Sequence, residues 1–251
     1  MTTAERSAAA RSGPEAPVLS VVVPTRNERD NVAPLLAALG DALAGLDTEL
    51  VVVDDSDDGT ADEFARCAGR APFPVRIAVR RPDDARRGLG WAVVRGFGSA
   101  RGEFVCVMDA DLQHPPALAR TLLAVARRER ADVVIASRYV PGGSATGLGG
   151  VRRRLASRGL GLLARLAFPG RVGPVRDPMS GYFLVRRALL DGVALRPVGY
   201  KILVEVLVRC RPRRVREVPY RMHPRHAGRT KTGVREGLNV LCHLLRLRTG
   251  V

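Results

Sequence analysis

The chain has 251 residues, 46% hydrophobic and 4% aromatic, enough for one large α/β core built mostly of Val, Leu and Ala and short for two. Lys and Arg number 41 against 25 Asp and Glu, a net charge of +16. Met1–Pro17 lacks an apolar h-region and reads as a disordered tail, and no run of about 18 apolar residues is present to cross a membrane.

Val18–Val23 is an apolar, β-branched run closed by Pro24, the pattern of a buried parallel strand. Asn31–Leu46 has helical spacing and ends near Gly45. Leu50–Val53 is a second strand, the acidic loop Asp54–Gly59 follows it, and Thr60–Ala68 is helical. Val75–Val79 is a third strand, and Gly88–Ala100 reads as a helix weakened by Gly96 and Gly98. Phe104–Met108 is a fourth strand running into Asp109-Ala110-Asp111. Pro115 and Pro116 open a helix that reaches Glu129, and Val133–Ala136 is a fifth strand. This alternation predicts an α/β fold with a doubly wound, mostly parallel sheet, whose ligands sit beyond the carboxyl ends of the strands. Both acidic loops follow strands and are expected on that one edge.

After Ala136 the rhythm changes. A Gly-rich loop (Pro141–Gly150), a basic amphipathic segment (Val151–Phe168), an irregular stretch (Arg176–Tyr182), a helix (Lys201–Arg209), a strand (Val215–Val218) and a second basic amphipathic helix (Val234–Arg248) follow in turn. No repeat or linker divides residues 18–251, which are read as one domain with a basic C-terminal elaboration. Charge divides them instead. Residues 1–130 carry 17 basic and 19 acidic side chains, residues 131–251 carry 24 and 6, so the back half is suited to an anionic partner. Amphipathic basic helices of this kind either pack on a core or lie in a lipid interface.

Two carboxylates two residues apart at a strand end, Asp109 and Asp111, can face one hard divalent cation, with Gln113 adding a carbonyl. A solvated turn has the same spelling, and the position after an apolar strand favours the metal. Asp54, Asp55, Asp57 and Asp58 repel one another unless a cation or a donor-rich ligand is present; hydrogen bonds to a nucleoside fit better than a second metal, and an exposed Asp-Gly turn is the plain alternative. Arg86-Arg87-Gly88-Leu89-Gly90, ahead of a helix, suits a diphosphate. Cys67, Cys106, Cys210 and Cys242 have no metal spacing and read as incidental thiols of a reducing compartment. His114, His223, His226 and His243 lack partners at metal spacing; His114 reads as the end of the loop before Pro115.

The blocks Val21-Val22-Val23-Pro24-Thr25-Arg26-Asn27-Glu28, Val51-Val52-Val53-Asp54-Asp55-Ser56, Gly88-Leu89-Gly90 and Met108-Asp109-Ala110-Asp111-Leu112-Gln113-His114-Pro115 together resemble the inverting family 2 glycosyltransferases. Within that family the chain looks most like the dolichol- or polyprenol-phosphate mannosyltransferases. The likeness continues in order through Ser137-Arg138-Tyr139, Gly142-Gly143, Arg153 to Ser157-Arg158-Gly159, Asp177-Pro178-Met179-Ser180-Gly181 and Gly228-Arg229-Thr230-Lys231, covering residues 18–232. The resemblance implies a GT-A-type fold, with residues 18–136 binding a nucleotide-sugar and 137–251 facing the acceptor and a membrane. Pro24, Thr25, Glu28, Asp54 and Asp55 would hold the donor nucleoside, and Gly88 would lie at its diphosphate. Asp109, Asp111 and Gln113 would bind Mg²⁺ or Mn²⁺. Arg138, Arg153 and Ser157 would hold the acceptor phosphate, Arg138 acting in catalysis with the two aspartates. Arg225 and Lys231 would close over the phosphates. Three positions depart from the family's pattern: Arg26 stands where an aromatic is usual, Asp57 where a Pro is common, and Arg229 where Glu is common.

The implied reaction carries mannose from GDP-mannose to a polyprenyl phosphate with inversion, with glucose or another sugar from a UDP-sugar as the variant. The enzyme would be peripheral on the cytoplasmic face of a membrane, with a membrane-anchoring protein as a possible partner. A pI near 11.2 also fits a nucleic-acid binder, but sparse aromatics, no binding motif and two acidic loops argue for no nucleic acid.

Overall fold

The structure, a computed structural model, describes residues 16–80, 88–148, 150–227 and 234–249. Seven strands form one sheet: β1 (Leu19–Thr25), β2 (Thr48–Asp54), β3 (Val75–Val79), β4 (Phe104–Val107), β5 (Val133–Ser137), β6 (Phe183–Arg186) and β7 (Val215–Pro219). Their spatial order is β3-β2-β1-β4-β6-β5-β7. β1 pairs parallel with β2 and β4, β2 with β3, and β5 with β7, whereas β6 runs antiparallel to both β4 and β5.

Every residue of β1, β2, β4 and β5 is buried, which is why these strands read as continuous apolar runs. Alternate side chains serve two cores. Val21 and Val23 join Leu35 and Leu39 of α1 (Val32–Ala42), Phe64 of α2 (Thr60–Ala68) and Leu122 of α4 (Leu118–Glu129) on one face. Val22, Val51 and Val53 join Val93 and Phe97 of α3 (Leu89–Ser99) and Val240 and Leu244 of α7 (Val234–Thr249) on the other. Gly96 makes that second face possible: a Cβ there would fall deep inside the contact distance of Val22. The glycine that weakens α3 as a helix is the one that lets it seat on β1.

α5 (Val151–Ala167) packs with α7. The predicted Lys201–Arg209 helix is shorter and less regular: α6 covers Ile202–Glu205 and continues as a π-turn over Val206–Cys210. β6 has no counterpart among the sequence-predicted strands. Being antiparallel, it begins at the edge where β4 and β5 end, so the segment leading into it, Asp177–Tyr182, opens on the same edge as the residues after β4.

Candidate active site

The carboxyl ends of β1 and β2 meet in register, Thr25 opposite Asp54. Thr25 Oγ1 donates to Asp54 Oδ1 at 2.5 Å and Ser56 Oγ donates to the same oxygen at 2.6 Å. Asp55 takes a two-pronged contact from Arg80, Nε to Oδ1 at 2.5 Å and a terminal nitrogen to Oδ2 at 2.7 Å. Asn27 Nδ2 donates to Asp57 at 2.8 Å, and the backbone N–H of Thr60 donates to Asp58 at 3.0 Å. Each crowded carboxylate therefore has its own protein donor. Pro24 and Thr25 close β1, and Glu28 follows, its Oε2 accepting from Asn31 Nδ2 at 2.6 Å.

Across the edge, Asp109 lies two residues beyond β4. Its backbone N–H donates to His114 Nδ1 at 3.0 Å, so His114 is a neutral imidazole with its proton on Nε2, and that nitrogen lies 3.8 Å from Asp109 Oδ2. His114 is buried, stacked on Tyr182 with centroids 4.9 Å apart. Burial above all, with the charges of Arg138 and Lys201, pushes its pKa down to about 4. The Asp109 carboxyl is 36% exposed at its tip yet walled by protein, and this desolvation raises its pKa against the pull of Lys201, Arg225 and Arg138. Asp111 is buried; desolvation first and the neighbouring Asp109 charge second raise its pKa.

Asp111 Oδ1 accepts the Gln113 N–H at 3.0 Å, and its Oδ2 pairs with Arg225 at 2.8 Å. The other prong of Arg225 lies 3.4 Å from Glu28 Oε1, so one guanidinium bridges the two sides of the site. Leu112 takes a left-handed φ of 61° in the turn between the two functional residues. Gln113 Nε2 donates to the carbonyls of Gly147 at 2.9 Å and His223 at 3.1 Å, which fixes the orientation of the amide.

These donors fit a hard divalent cation: two carboxylates that burial and mutual repulsion destabilise, plus one carbonyl. No third acidic, His or Cys ligand joins them among the described residues, so phosphate and water would have to complete the shell, as Mg²⁺ and Mn²⁺ sites commonly allow.

Arg138 is 6% exposed and committed. Its Nε and a terminal nitrogen donate to the two oxygens of Asp177, each at 2.8 Å, and its backbone N–H donates to Oδ2 at 3.0 Å. Burial opposes the guanidinium charge, but Asp177 outweighs it and raises the pKa. Ser157 lies one turn beyond Arg153 on α5 and lines a cavity of about 320 Å³ with Tyr139, Arg158, Leu162 and Pro178. Arg153 is exposed and is not among the residues of that wall. Gly88 caps α3 with φ 94°, and Gly90 N–H donates to Gly199 O at 3.1 Å. Arg86, Arg87, Gly228, Arg229, Thr230 and Lys231 lie outside the described residues.

Sequence reasoning set His114 aside as a loop end and passed over Asp177 as the partner of Arg138, Arg80, and Lys201, whose Nζ donates to Met179 O at 2.6 Å. A signal existed for the last. Arg fills nearly every cationic position in this chain, and Lys201 is one of two lysines.

Residues 20–193 match the family described as glycosyl transferase family 2. The chain is 39% identical over 230 residues to a dolichol-phosphate mannosyltransferase of Pyrococcus furiosus, covering 91% of this chain and 63% of that protein. It is 34% identical over 248 residues to the enzyme of that name from Mycosarcoma maydis (93% and 81% covered) and 35% identical over 227 residues to that of Saccharomyces cerevisiae (84% and 80%). The chain thus spans under two thirds of the length of the Pyrococcus relative and about four fifths of the other two. Among solved structures, mannosyl-3-phosphoglycerate synthase from Rubrobacter xylanophilus aligns with a TM-score of 0.72 at 23% identity, covering 93% of this chain and 75% of that one. Glucosyl-3-phosphoglycerate synthase from Mycobacterium tuberculosis, solved with Mn²⁺, UDP-glucose and glycerol 3-phosphate, aligns at 0.66 and 24% (94% and 81% covered). The mostly parallel sheet is the GT-A fold that the ordered blocks implied, and the chain belongs to glycosyl transferase family 2.

Proposed function

We propose that this chain transfers mannose from GDP-mannose to a polyprenyl phosphate, with inversion at the anomeric carbon and dependence on Mg²⁺ or Mn²⁺. The observation that carries the reading is the convergence of Asp109, Asp111, Gln113, Arg225 and Glu28 on the edge where β1 and β2 end, in a chain 34–39% identical to proteins named dolichol-phosphate mannosyltransferase.

The chemistry needs no conventional general base. A phosphate monoester is already anionic near neutral pH, so its oxygen attacks the anomeric carbon, the bond from that carbon to the nucleoside diphosphate breaks, and the diphosphate leaves with the electron pair. Nucleophile and leaving group are both negative, and the protein's task is charge. A cation held by Asp109, Asp111 and Gln113 would act as a Lewis acid toward the departing diphosphate. Arg225, poised between Glu28 and Asp111, adds a guanidinium to the same side. His114, neutral beneath Asp109, fixes that residue's backbone without adding charge. Thr25, Asp54 and Asp55 form a preorganised wall at the nucleoside end.

The same reading places the chain on a membrane surface, at its cytoplasmic face. Leu155, Leu163 and Leu166 of α5 and Leu238 and Leu245 of α7 are exposed on two packed helices that also carry Arg152, Arg158 and Arg246. No helix among the described residues is long and apolar enough to cross a membrane.

Purified protein would be given a short polyprenyl phosphate, Mg²⁺ or Mn²⁺, and labelled GDP-mannose or UDP-glucose in parallel. Metal-dependent label in the organic phase from GDP-mannose, absent in Asp111→Asn, is the expected result. Transfer from UDP-glucose instead would replace the donor, and transfer from neither would overturn the reading.

A further inference from the structure

α6 opens with Lys201 at its N-cap, a position that favours Ser, Thr, Asp or Asn, and Lys201 is one of two lysines among 41 basic residues. The strap that ends in it, residues 196–201, is fixed at three places. At its start the Arg196 N–H donates to Glu205 Oε1 at 2.5 Å, an oxygen that also accepts from Arg209 Nε at 2.8 Å. Two residues on, the Val198 N–H donates to His243 Nδ1 of α7 at 3.2 Å. Glu205 and His243 are both buried, and Glu205 Oε2 faces His243 Nε2 at 3.2 Å, neither atom having a hydrogen-bond partner elsewhere. What this buried pair holds is backbone, two N–H groups of one strap. In the middle, the strap lies on the start of α3: the Gly90 N–H donates to Gly199 O at 3.1 Å, and a Cβ on Gly90 would fall 2.5 Å from that oxygen and 2.8 Å from Pro197 Cβ. At its end, Lys201 Nζ donates to Met179 O at 2.6 Å. Met179 lies in the turn between Asp177, the partner of Arg138, and Gly181, where an added Cβ would sit 3.8 Å from Asp109 Oδ2 and 3.5 Å from the His114 ring. Burial raises the Asp109 pKa, and Lys201 is the first of the charges that oppose it.

We propose that Lys201 supplies a fixed positive charge to the transfer centre, and that Glu205 and His243 are positioning residues that hold it there through the strap. Arg225 serves the side of the site at Glu28 and Asp111, and Lys201 serves the side at Met179 and Gly181. Two anions meet in the reaction, and a cation held in place beforehand opposes their repulsion without reorganising as charge moves to the leaving group. The inference rests on the transfer reaction proposed above, and one arm of its test needs no turnover.

In transfer assays of the full chain, Lys201→Met is expected to lower kcat about tenfold or more with both KM values little changed, as loss of an interaction made in the transition state does. His243→Leu, which takes the acceptor from the Val198 N–H, should lower kcat in the same way, and His243→Asn, whose Oδ1 can accept in place of Nδ1, should recover most of it. The double variant Lys201→Met/His243→Leu should be no worse than Lys201→Met, because His243 acts through Lys201. Gly199→Val, at a φ of 76°, strains the strap from outside the buried pair and takes the place of His243→Leu if that variant does not fold, with the same outcomes expected. Hydrogen exchange is the arm without turnover: His243→Leu should speed exchange at Val198 while β4 stays as protected as in the wild type. A kcat in Lys201→Met within about twofold of wild type would overturn the charge. Losses that multiply in the double variant, or unchanged exchange at Val198, would overturn the positioning. No sugar transfer by the wild-type chain would sink the proposed reaction and the Lys201 role with it, while exchange still decides the strap.

Discussion

Asp177→Asn removes one charge from the Arg138–Asp177 pair and almost no volume. In the native protein Asp177 is fully buried, Arg138 is nearly so, and three N–H groups of Arg138 point at the two carboxylate oxygens. The amide keeps one acceptor and turns a donor toward the guanidinium, leaving a buried cation without a counter-ion. Breaking such a pair from one side costs about 3–5 kcal/mol. For a chain of this length each kcal/mol lowers Tm by about 2–4 °C, so a fall of roughly 6–20 °C is expected. Urea denaturation of Asp177→Asn, Arg138→Met and the double variant Arg138→Met/Asp177→Leu measures it. The double variant should be less damaged than either single one, because it leaves no orphaned charge. A single variant within about 1 kcal/mol of wild type, or a double variant worse than both, would show that the guanidinium finds other company and is available to a ligand.

Gly96→Ala should cost about 1–3 kcal/mol by driving a methyl into Val22, with Val22→Ala restoring part of the loss in the same denaturation assay. His243 is buried beside Glu205, and burial pushes its pKa down to about 4. Its folded pKa is depressed and the fold accepts the neutral ring, so its contribution is complete above about pH 6.5 and drains as pH falls toward 4. The stability gap between wild type and His243→Gln should therefore narrow by roughly 3 kcal/mol between pH 7 and pH 4, and a constant gap would refute the burial argument. Changing Leu155, Leu166 and Leu245 to Ser should abolish sedimentation with anionic lipid vesicles without lowering Tm, since all three are exposed; a folded variant that still sediments would count against the membrane face.

The strands that the sequence displays best are the ones buried on both faces. β1, β2, β4 and β5 are apolar runs, and β2 and β4 carry a carboxylate at or just past their ends, so both the sheet and the position of Asp54 and Asp109 are legible in the sequence. β6 could not. Its four residues, Phe183-Leu184-Val185-Arg186, carry no periodicity, and its antiparallel direction depends on partners about 50 and 80 residues upstream. The site shows the same division. Asp109 and Asp111 are legible because they stand two residues apart at a strand end, whereas the locking of Arg138 comes from Asp177, 39 residues away, and is visible only in three dimensions. In the acidic loop the crowding is legible but the donors are not: Arg80, Thr25, Asn27 and Thr60, brought in from neighbouring elements, hydrogen-bond the four carboxylates.

β6 also governs how the sheet holds together. In the strand order it is the single link between β3-β2-β1-β4 and the β5-β7 pair. The sheet is therefore only as continuous as four residues make it: without β6, β4 and β5 would each become an unpaired edge, and the two groups of strands would lose their shared hydrogen-bond ladder. A proline at Leu184, which would interrupt the pairing of β6 with Cys106 and Val134, should divide the sheet at that point.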